Sequence, residues 1–333
     1  MLDWQKKEKP LQGLVGMGGG IARFRSSAGG KATGGTIVED GGYTFHVFTS
    51  SGAFVANEDL DIKFLIVGGG GVKYPSGQSS AYAGGGGGGG VVYNDSPQPV
   101  TNAGGPYPVV VGERMGDDNP HSPEPRTPIG STHGNPSSFK GYTAGGGGGG
   151  GGFALAAQNG GSGSTLDSRP GQGAGGGGGT GGPGPAFYPI GPHAGGSGSY
   201  SGGNGATRSP SSVLAGGGGG GAGGDGSNGS SSNGGKGGIG AAIPWVPPAY
   251  GTPGPNGSAR YFGGGGGGSW YPGADSKSSV SPDGGGGGDN ESATGGPGTP
   301  KPAAAFAQNN TGGGAGGVSG GGASGIVIVR YPT

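Results

Sequence analysis

The residues able to do chemistry are few, and their spacing serves it poorly. Gly317-Val-Ser319-Gly-Gly321 carries the letters of a nucleophile elbow, in which a serine sits on a tight strand-to-helix turn. No strand-turn-helix pattern surrounds it, and a chain with 101 glycines in 333 residues makes such matches by chance. His46, His121, His133 and His193 lack the spacing of metal ligands. Asp117 and Asp118 near Glu113 have oxygens for a cation, but an acidic turn facing water accounts for them equally. No Walker pattern exists, since Gly30-Lys31 runs into Ala32 and Gly235-Lys236 into Gly237. Asn228, Asn256 and Asn309 fit glycosylation acceptor patterns without a secretory signal to bring them into use. No catalytic residue, metal site or cofactor is expected, and the protein is read as no enzyme.

What remains is glycine. Residues 145–152 are eight consecutive glycines, and 84–90, 175–179, 216–221, 263–268 and 284–288 repeat the theme. Glycine and proline together exceed a third of the chain, a composition usually associated with disorder. Collagen is excluded, because its glycines recur at every third position with other residues between. Cysteine is absent, so no disulfide framework exists. No apolar stretch is long enough to span a membrane. The chain is expected to be made in cytoplasm, without an export route of its own. Net charge is zero, yet residues 1–35 hold six bases (Lys6, Lys7, Lys9, Arg23, Arg25, Lys31) against Asp3 and Glu8. Beyond that arm no basic face follows, so nucleic acid is not an expected partner.

Strand signals lie at the two ends. Thr36-Ile-Val-Glu-Asp40, Tyr43-Thr-Phe-His-Val-Phe-Thr49 and Ala53-Phe-Val-Ala56 predict strands joined by tight turns. Ile62-Lys-Phe-Leu-Ile-Val67 and Ile326-Val-Ile-Val-Arg-Tyr331 are apolar at nearly every position, as in strands covered on both faces. Val91-Val-Tyr93 and Tyr107-Pro-Val-Val-Val111 are shorter candidates. The C-terminal strand has plausible partners only near the N-terminus, so the middle is an excursion that leaves a small β-domain and returns. Lys301-Pro-Ala-Ala-Ala-Phe-Ala-Gln308 is the best helix signal, and it is weak.

The glycine runs are either loose spacers or a lattice built from backbone. Spacers intersperse serine, threonine or glutamate and avoid bulky aromatics. Here the runs are pure, alike in length, and flanked by loops rich in aromatic residues. Ordering each glycine costs about 1–2 kcal/mol of backbone entropy, which only hydrogen bonds can offset. An extended threefold helix, with about 3.1 Å rise per residue, points an N–H and a C=O outward at each step. Six such helices can surround a seventh if no Cβ intervenes. The lattice is the expectation.

Gly35-Thr-Ile-Val-Glu-Asp-Gly-Gly-Tyr-Thr-Phe-His-Val-Phe-Thr-Ser-Ser-Gly-Ala-Phe54, the segment Ile62-Lys-Phe-Leu-Ile-Val-Gly-Gly-Gly-Gly71 and the ending Gly325-Ile-Val-Ile-Val-Arg-Tyr-Pro332 resemble the glycine-rich domain of bacteriophage tail fibres and tail-tip adhesins. The resemblance implies a mostly β and irregular fold. A small β-sandwich-like base, closed by the C-terminal strand, would carry a packed bundle of left-handed polyglycine II helices with long loops. It divides the chain into an attachment segment 1–34, a base 35–111 completed by 325–333, and a body 112–324 to which glycines from 68 onward contribute. It further implies a virion protein that binds a host surface glycan or outer-membrane protein through distal loops. Other tail or fibre proteins would be held through the N-terminal segment, with Trp4, Lys6, Lys7 and Lys9 as attachment candidates. A homo-oligomer is compatible with the sequence.

Tyrosine and tryptophan give large amphipathic contact areas at small entropic cost. Trp245, Tyr250, Tyr261, Trp270 and Tyr271 crowd two neighbouring loops about one glycine run and are the expected receptor contacts. Packing against the flanks of the lattice is the competing role for each. Two other functions stay open: a purely architectural virion or wall protein, and an ice-binding protein, which would want a flat regular face that these loops lack. The lattice itself is testable by hydrogen exchange on the isolated chain. Amides of 145–152 are expected to exchange slowly; random-coil rates there would refute the lattice.

Overall fold

The computed structural model describes residues 30–72, 84–113, 133–151, 159–160, 163, 206–207, 214–229, 234–253, 259–268, 270–271, 307–316 and 321–333. Among them the chain is strands and irregular extended segments, apart from one short 3-10 turn at Asn102–Gly104. The strands are β1 (Ala32–Thr33), β2 (Thr36–Asp40), β3 (Tyr43–Phe48), β4 (Gly52–Ala56), β5 (Leu60–Val67), β6 (Val91–Tyr93), β7 (Gln98–Val100), β8 (Tyr107–Val110) and β9 (Ser137–Phe139). There follow β10 (Tyr142–Ala144), β11 (Ala206–Thr207), β12 (Leu214–Ala215), β13 (Ala241–Ile243), β14 (Thr252–Pro253), β15 (Arg260–Phe262), β16 (Trp270–Tyr271) and β17 (Ile326–Pro332). Of the weak helix signal, residues 307–308 are not helical and 301–306 lie outside the described residues.

A large sheet runs β2-β3-β17-β5-β6, with β7 also paired to β5. The C-terminal strand is thus inserted between two N-terminal ones. Val329 faces His46 on one side and Phe64 on the other, both antiparallel. A second sheet, β1-β4-β8-β9-β10, packs on one face of the first, and a small sheet, β13-β15-β14, on the other. This is why β5 is apolar over Phe64–Val67 and β17 over Ile326–Val329. Ile62, Phe64, Ile66, Val327 and Val329 point into the core shared with the second sheet. Leu65, Val67, Ile326 and Ile328 point the other way, against Ile243, Val246 and Phe262. The base therefore takes in β9, β10 and β13 to β15, which fall within the stretch 112–324 that the sequence division places in the body. Turns at Gly41-Gly42 (φ +55° and +80°) and Lys140-Gly141 (φ +51° and +81°) supply the left-handed pair that a two-residue hairpin needs.

The glycine runs continue from these strands as a bundle in which backbone meets backbone. Run 84–90 is buried throughout. Its amides at Gly84, Gly87 and Gly90 donate to the carbonyls of Gly151, Gly148 and Gly145. Gly85 and Gly88 donate to Gly217 and Gly220, and Gly86 and Gly89 to Ala315 and Gly312. Every third amide returns to the same neighbour, so the segment advances three residues per turn. A β ladder, by contrast, alternates every two. The same period holds elsewhere: Gly68 and Gly71 donate to Gly90 and Gly87, Gly265 and Gly268 to Gly238 and Gly235, and Gly147 and Gly150 to Gly69 and Val72.

Around run 84–90 stand five described neighbours: 145–151, 68–71, 311–316, 263–268 and 216–221. Adjacent members of this series are bonded to each other through Gly147 to Gly69, Ala315 to Gly71, Gly314 to Gly264, and Gly219 to Gly266. No room is left for side chains. A Cβ on Gly88 would be driven into the carbonyl of Gly263, and one on Gly266 into that of Ala315. Gly88→Val is therefore expected to destabilise the protein by about 1–3 kcal/mol or more through overpacking. Gly52→Ala, whose Cβ would meet only the Phe48 ring at 3.8 Å, should stay within about 0.5 kcal/mol of the parent. Thermal unfolding of the pair checks both; equal midpoints would contradict the close packing.

Candidate binding surfaces

The aromatic residues singled out by sequence separate into two groups. Trp245 is half-buried on the outer core of the large sheet, and Tyr250 packs against the same core. The Arg330 guanidinium of β17 lies over the Trp245 ring at 4.5 Å and over the Tyr43 ring at 4.4 Å. Each such stack is worth about 0.5–1 kcal/mol. Burial lowers the Arg330 pKa, opposed by Tyr43 and Asp95. Among the described residues, Arg330 Nε and Trp245 Nε1 are buried without a hydrogen-bond partner. Burial likewise pushes the Tyr250 phenol up. Its carbonyl accepts from Arg260 Nε at 2.7 Å, while a terminal nitrogen of Arg260 donates to Gly251 O at 2.5 Å, clamping the loop between β13 and β14. Tyr261 lies half-buried on β15 opposite Ala242 and Thr252, next to the fully buried Phe262.

Trp270 and Tyr271 form β16, paired with Ala215 and Leu214. They follow run 263–268, whereas Tyr261 precedes it; the six glycines between the groups extend about 19 Å at about 3.1 Å per residue. The backbone thus sets Trp245, Tyr250 and Tyr261 on one side of run 263–268 and β16 on the other. Trp4, Lys6, Lys7 and Lys9 lie outside the described residues, as do Ser319, His121, His193, Asp117 and Asp118. Glu113 is exposed. Among the described residues no three acids, histidines or cysteines gather as for a metal. No described helix is long and apolar enough to cross a membrane.

The molecule has two ends of different character. Strand β17 begins beside the bundle, where Gly325 N donates to Gly112 O, and ends beside Tyr43. There Lys31 Nζ donates to Pro332 O at 3.3 Å and Thr333 N to Gly42 O at 3.1 Å. Residues 30 and 333 thus share the end of the base remote from the bundle. At the opposite end Val72, Gly84, Gly151, Gly216 and Gly268 lie at one level, linked by Gly150 to Val72, Gly84 to Gly151, Gly85 to Gly217, Gly268 to Gly235 and Gly235 to Gly216. These residues border the segments 73–83, 152–158, 208–213 and 272–306 directly or within a few positions.

The model of the glycine-rich domain family matches residues 49–332. The chain belongs to the glycine-rich domain family. No curated protein and no solved structure matches it. Within this glycine-rich domain the histidine that sequence could place only in a strand has a defined post. His46 is fully buried, with Nδ1 2.7 Å from Gly34 O and Nε2 3.0 Å from the Tyr331 hydroxyl. A carbonyl can only accept, so Nδ1 carries the proton and Nε2 accepts from Tyr331. The ring ties the N-terminal entry of the domain to its closing strand.

Arg330 and Tyr43 were not legible as a site. The one available signal was a lone charge in an otherwise apolar strand. Desolvation lowers the His46 pKa from 6.5, against the raising effect of the Gly34 hydrogen bond. The native state then binds fewer protons than the unfolded chain below pH 6.5. Its contribution is present above that value and is lost as pH falls toward the lowered pKa. Urea midpoints are expected to decline between about pH 7.5 and 5.5, with a smaller slope in His46→Gln. Identical slopes would remove His46 as the titrating group.

Proposed function

We propose that this chain is a bacteriophage virion structural protein, a tail-fibre or tail-tip adhesin made in the host cytoplasm. The bundle is one of left-handed polyglycine II helices, and the protein catalyses nothing. The observation that carries this reading is the layout: residues 30 and 333 at one end, and at the other Val72, Gly84, Gly151, Gly216 and Gly268, which border the segments expected from sequence to carry recognition. A module held to a virion at the first end presents the second outward. A stiff frame between them lowers the entropy that recognition loops lose on binding, and loop sequence can vary without disturbing backbone packing.

In this reading residues 1–34, with Trp4, Lys6, Lys7 and Lys9, hold other tail or fibre proteins, and the host partner is a surface glycan or outer-membrane protein. Trp270 and Tyr271 stand beyond the end of run 263–268 remote from the base and are the preferred receptor contacts of the five aromatics. Trp245 and Tyr250 are occupied in packing at the base end. Purified protein should adsorb to cells of a susceptible strain within a bacterial panel and block phage adsorption there. Trp270→Ala with Tyr271→Ala should weaken adsorption about tenfold or more with less than about a 3 °C change in Tm. Absence of adsorption across the panel would favour the purely architectural role, and thermal hysteresis would favour ice binding.

A further inference from the structure

Arg330 is the one charged residue of β17, and it brings more donors to the outer face of the base than that face satisfies. By alternation along the strands, Arg330 and Lys63 share the face of Ile328 and Leu65. They stand directly opposite each other across the ladder, with Phe45 on the far side of Arg330. Like charges so placed repel. Asp95 offsets part of this, since its charge bears on Arg330. Even so, Arg330 Nε is buried without an acceptor among the described residues. Trp245 Nε1, on a ring whose centre lies 4.5 Å from the guanidinium carbon, is in the same state. A buried donor without an acceptor is strongly unfavourable, and here two of them sit on one pair of stacked groups.

We infer that Arg330, Lys63 and Trp245 form a receptor for a single carboxylate, borne by an acidic side chain of a protein docked against the base. A carboxylate only accepts, and it suits a guanidinium fork and an ammonium together. The Tyr43 and Trp245 rings cover the two faces of the fork and leave its N–H edge to a ligand. All four side chains are half-buried, so a partner reaches them while water is largely kept out. The surroundings favour one negative charge over a polyanion. Asp40, opposite Tyr43, and Asp61, two residues before Lys63, are exposed on either flank and repel further charge. Arginine, tryptophan and tyrosine are also the residues that carry most of the energy at protein interfaces. The site lies three residues before Thr333, at the end remote from the bundle. The source of the carboxylate rests on the reading that this end faces the virion; the site itself rests on its geometry.

The test is proton–nitrogen correlation NMR on the full chain, reading the side-chain signals of Trp245 Nε1–H and Arg330 Nε–H. Trp245→Phe and Arg330→Lys assign them. The probe is the capped peptide Ala-Glu-Ala, with Ala-Gln-Ala, glucuronate and sodium chloride as comparisons. The Glu peptide should move both signals downfield and saturate, and the Gln peptide should not. Lys63→Gln should weaken that binding about twofold or more with less than about a 2 °C change in Tm, so the test does not depend on variants of the stack folding. No shift, or a shift that sodium chloride reproduces at equal ionic strength, overturns the site. Tighter binding of glucuronate than of the Glu peptide overturns the protein partner and gives the site to an acidic glycan. Failure to adsorb to cells leaves these signals unchanged, so the two readings fail separately.

Discussion

Everything in this protein depends on amide-to-carbonyl bonds between segments that have nothing else to offer one another. Each ordered glycine forfeits about 1–2 kcal/mol of backbone entropy. A buried hydrogen bond returns about 0.5–1.5 kcal/mol net, with weak Cα–H···O contacts adding a second-order share. The balance per residue is close to zero. A bundle of this kind therefore holds only as a cooperative whole, and it needs a surface that fixes the register of its first residues.

The β base provides that surface. Gly68 follows β5, Gly90 precedes β6, Gly145 follows β10, Gly263 follows β15 and Gly325 precedes β17, so five bundle segments start or end on strands already held by an apolar core. The insertion of β17 between β3 and β5 makes the last strand a condition for the whole sheet. Ser137 shows the same concern for the junction: its hydroxyl donates to Val67 O at 2.6 Å and accepts from Gly112 N at 2.8 Å where sheet gives way to bundle. Arg330 stacked between Tyr43 and Trp245, and His46 between Gly34 and Tyr331, tie the outer layer and the N-terminal entry to that strand. The division of labour is physical. Side chains hold the base, and backbone holds the bundle.

Strands with a strong apolar pattern were legible: Val91–Tyr93 agrees to the residue, and β2, β3, β5 and β17 agree within two positions at either end. β9 with β10, and β13 to β15, were not. They are two or three residues long and sit among glycines, so their pairing depends on what lies across from them. The aromatic cluster illustrates a further limit. Trp245 and Trp270 are 25 positions apart in sequence and flank related loops, but only the direction of run 263–268 sets one group at the base and the other at the far end.

The sequence alone determined that backbone must do the packing, because long stretches have no side chain to substitute for it, and that the two chain ends must meet, because an apolar strand cannot remain in water. It also determined where any Cβ would be tolerated, in the loops and the base. Only the tertiary structure decided which run neighbours which. Identical glycines carry no address. Their partners are chosen by the strands that launch them and by the three-residue return of each amide, and both are properties of the assembled chain.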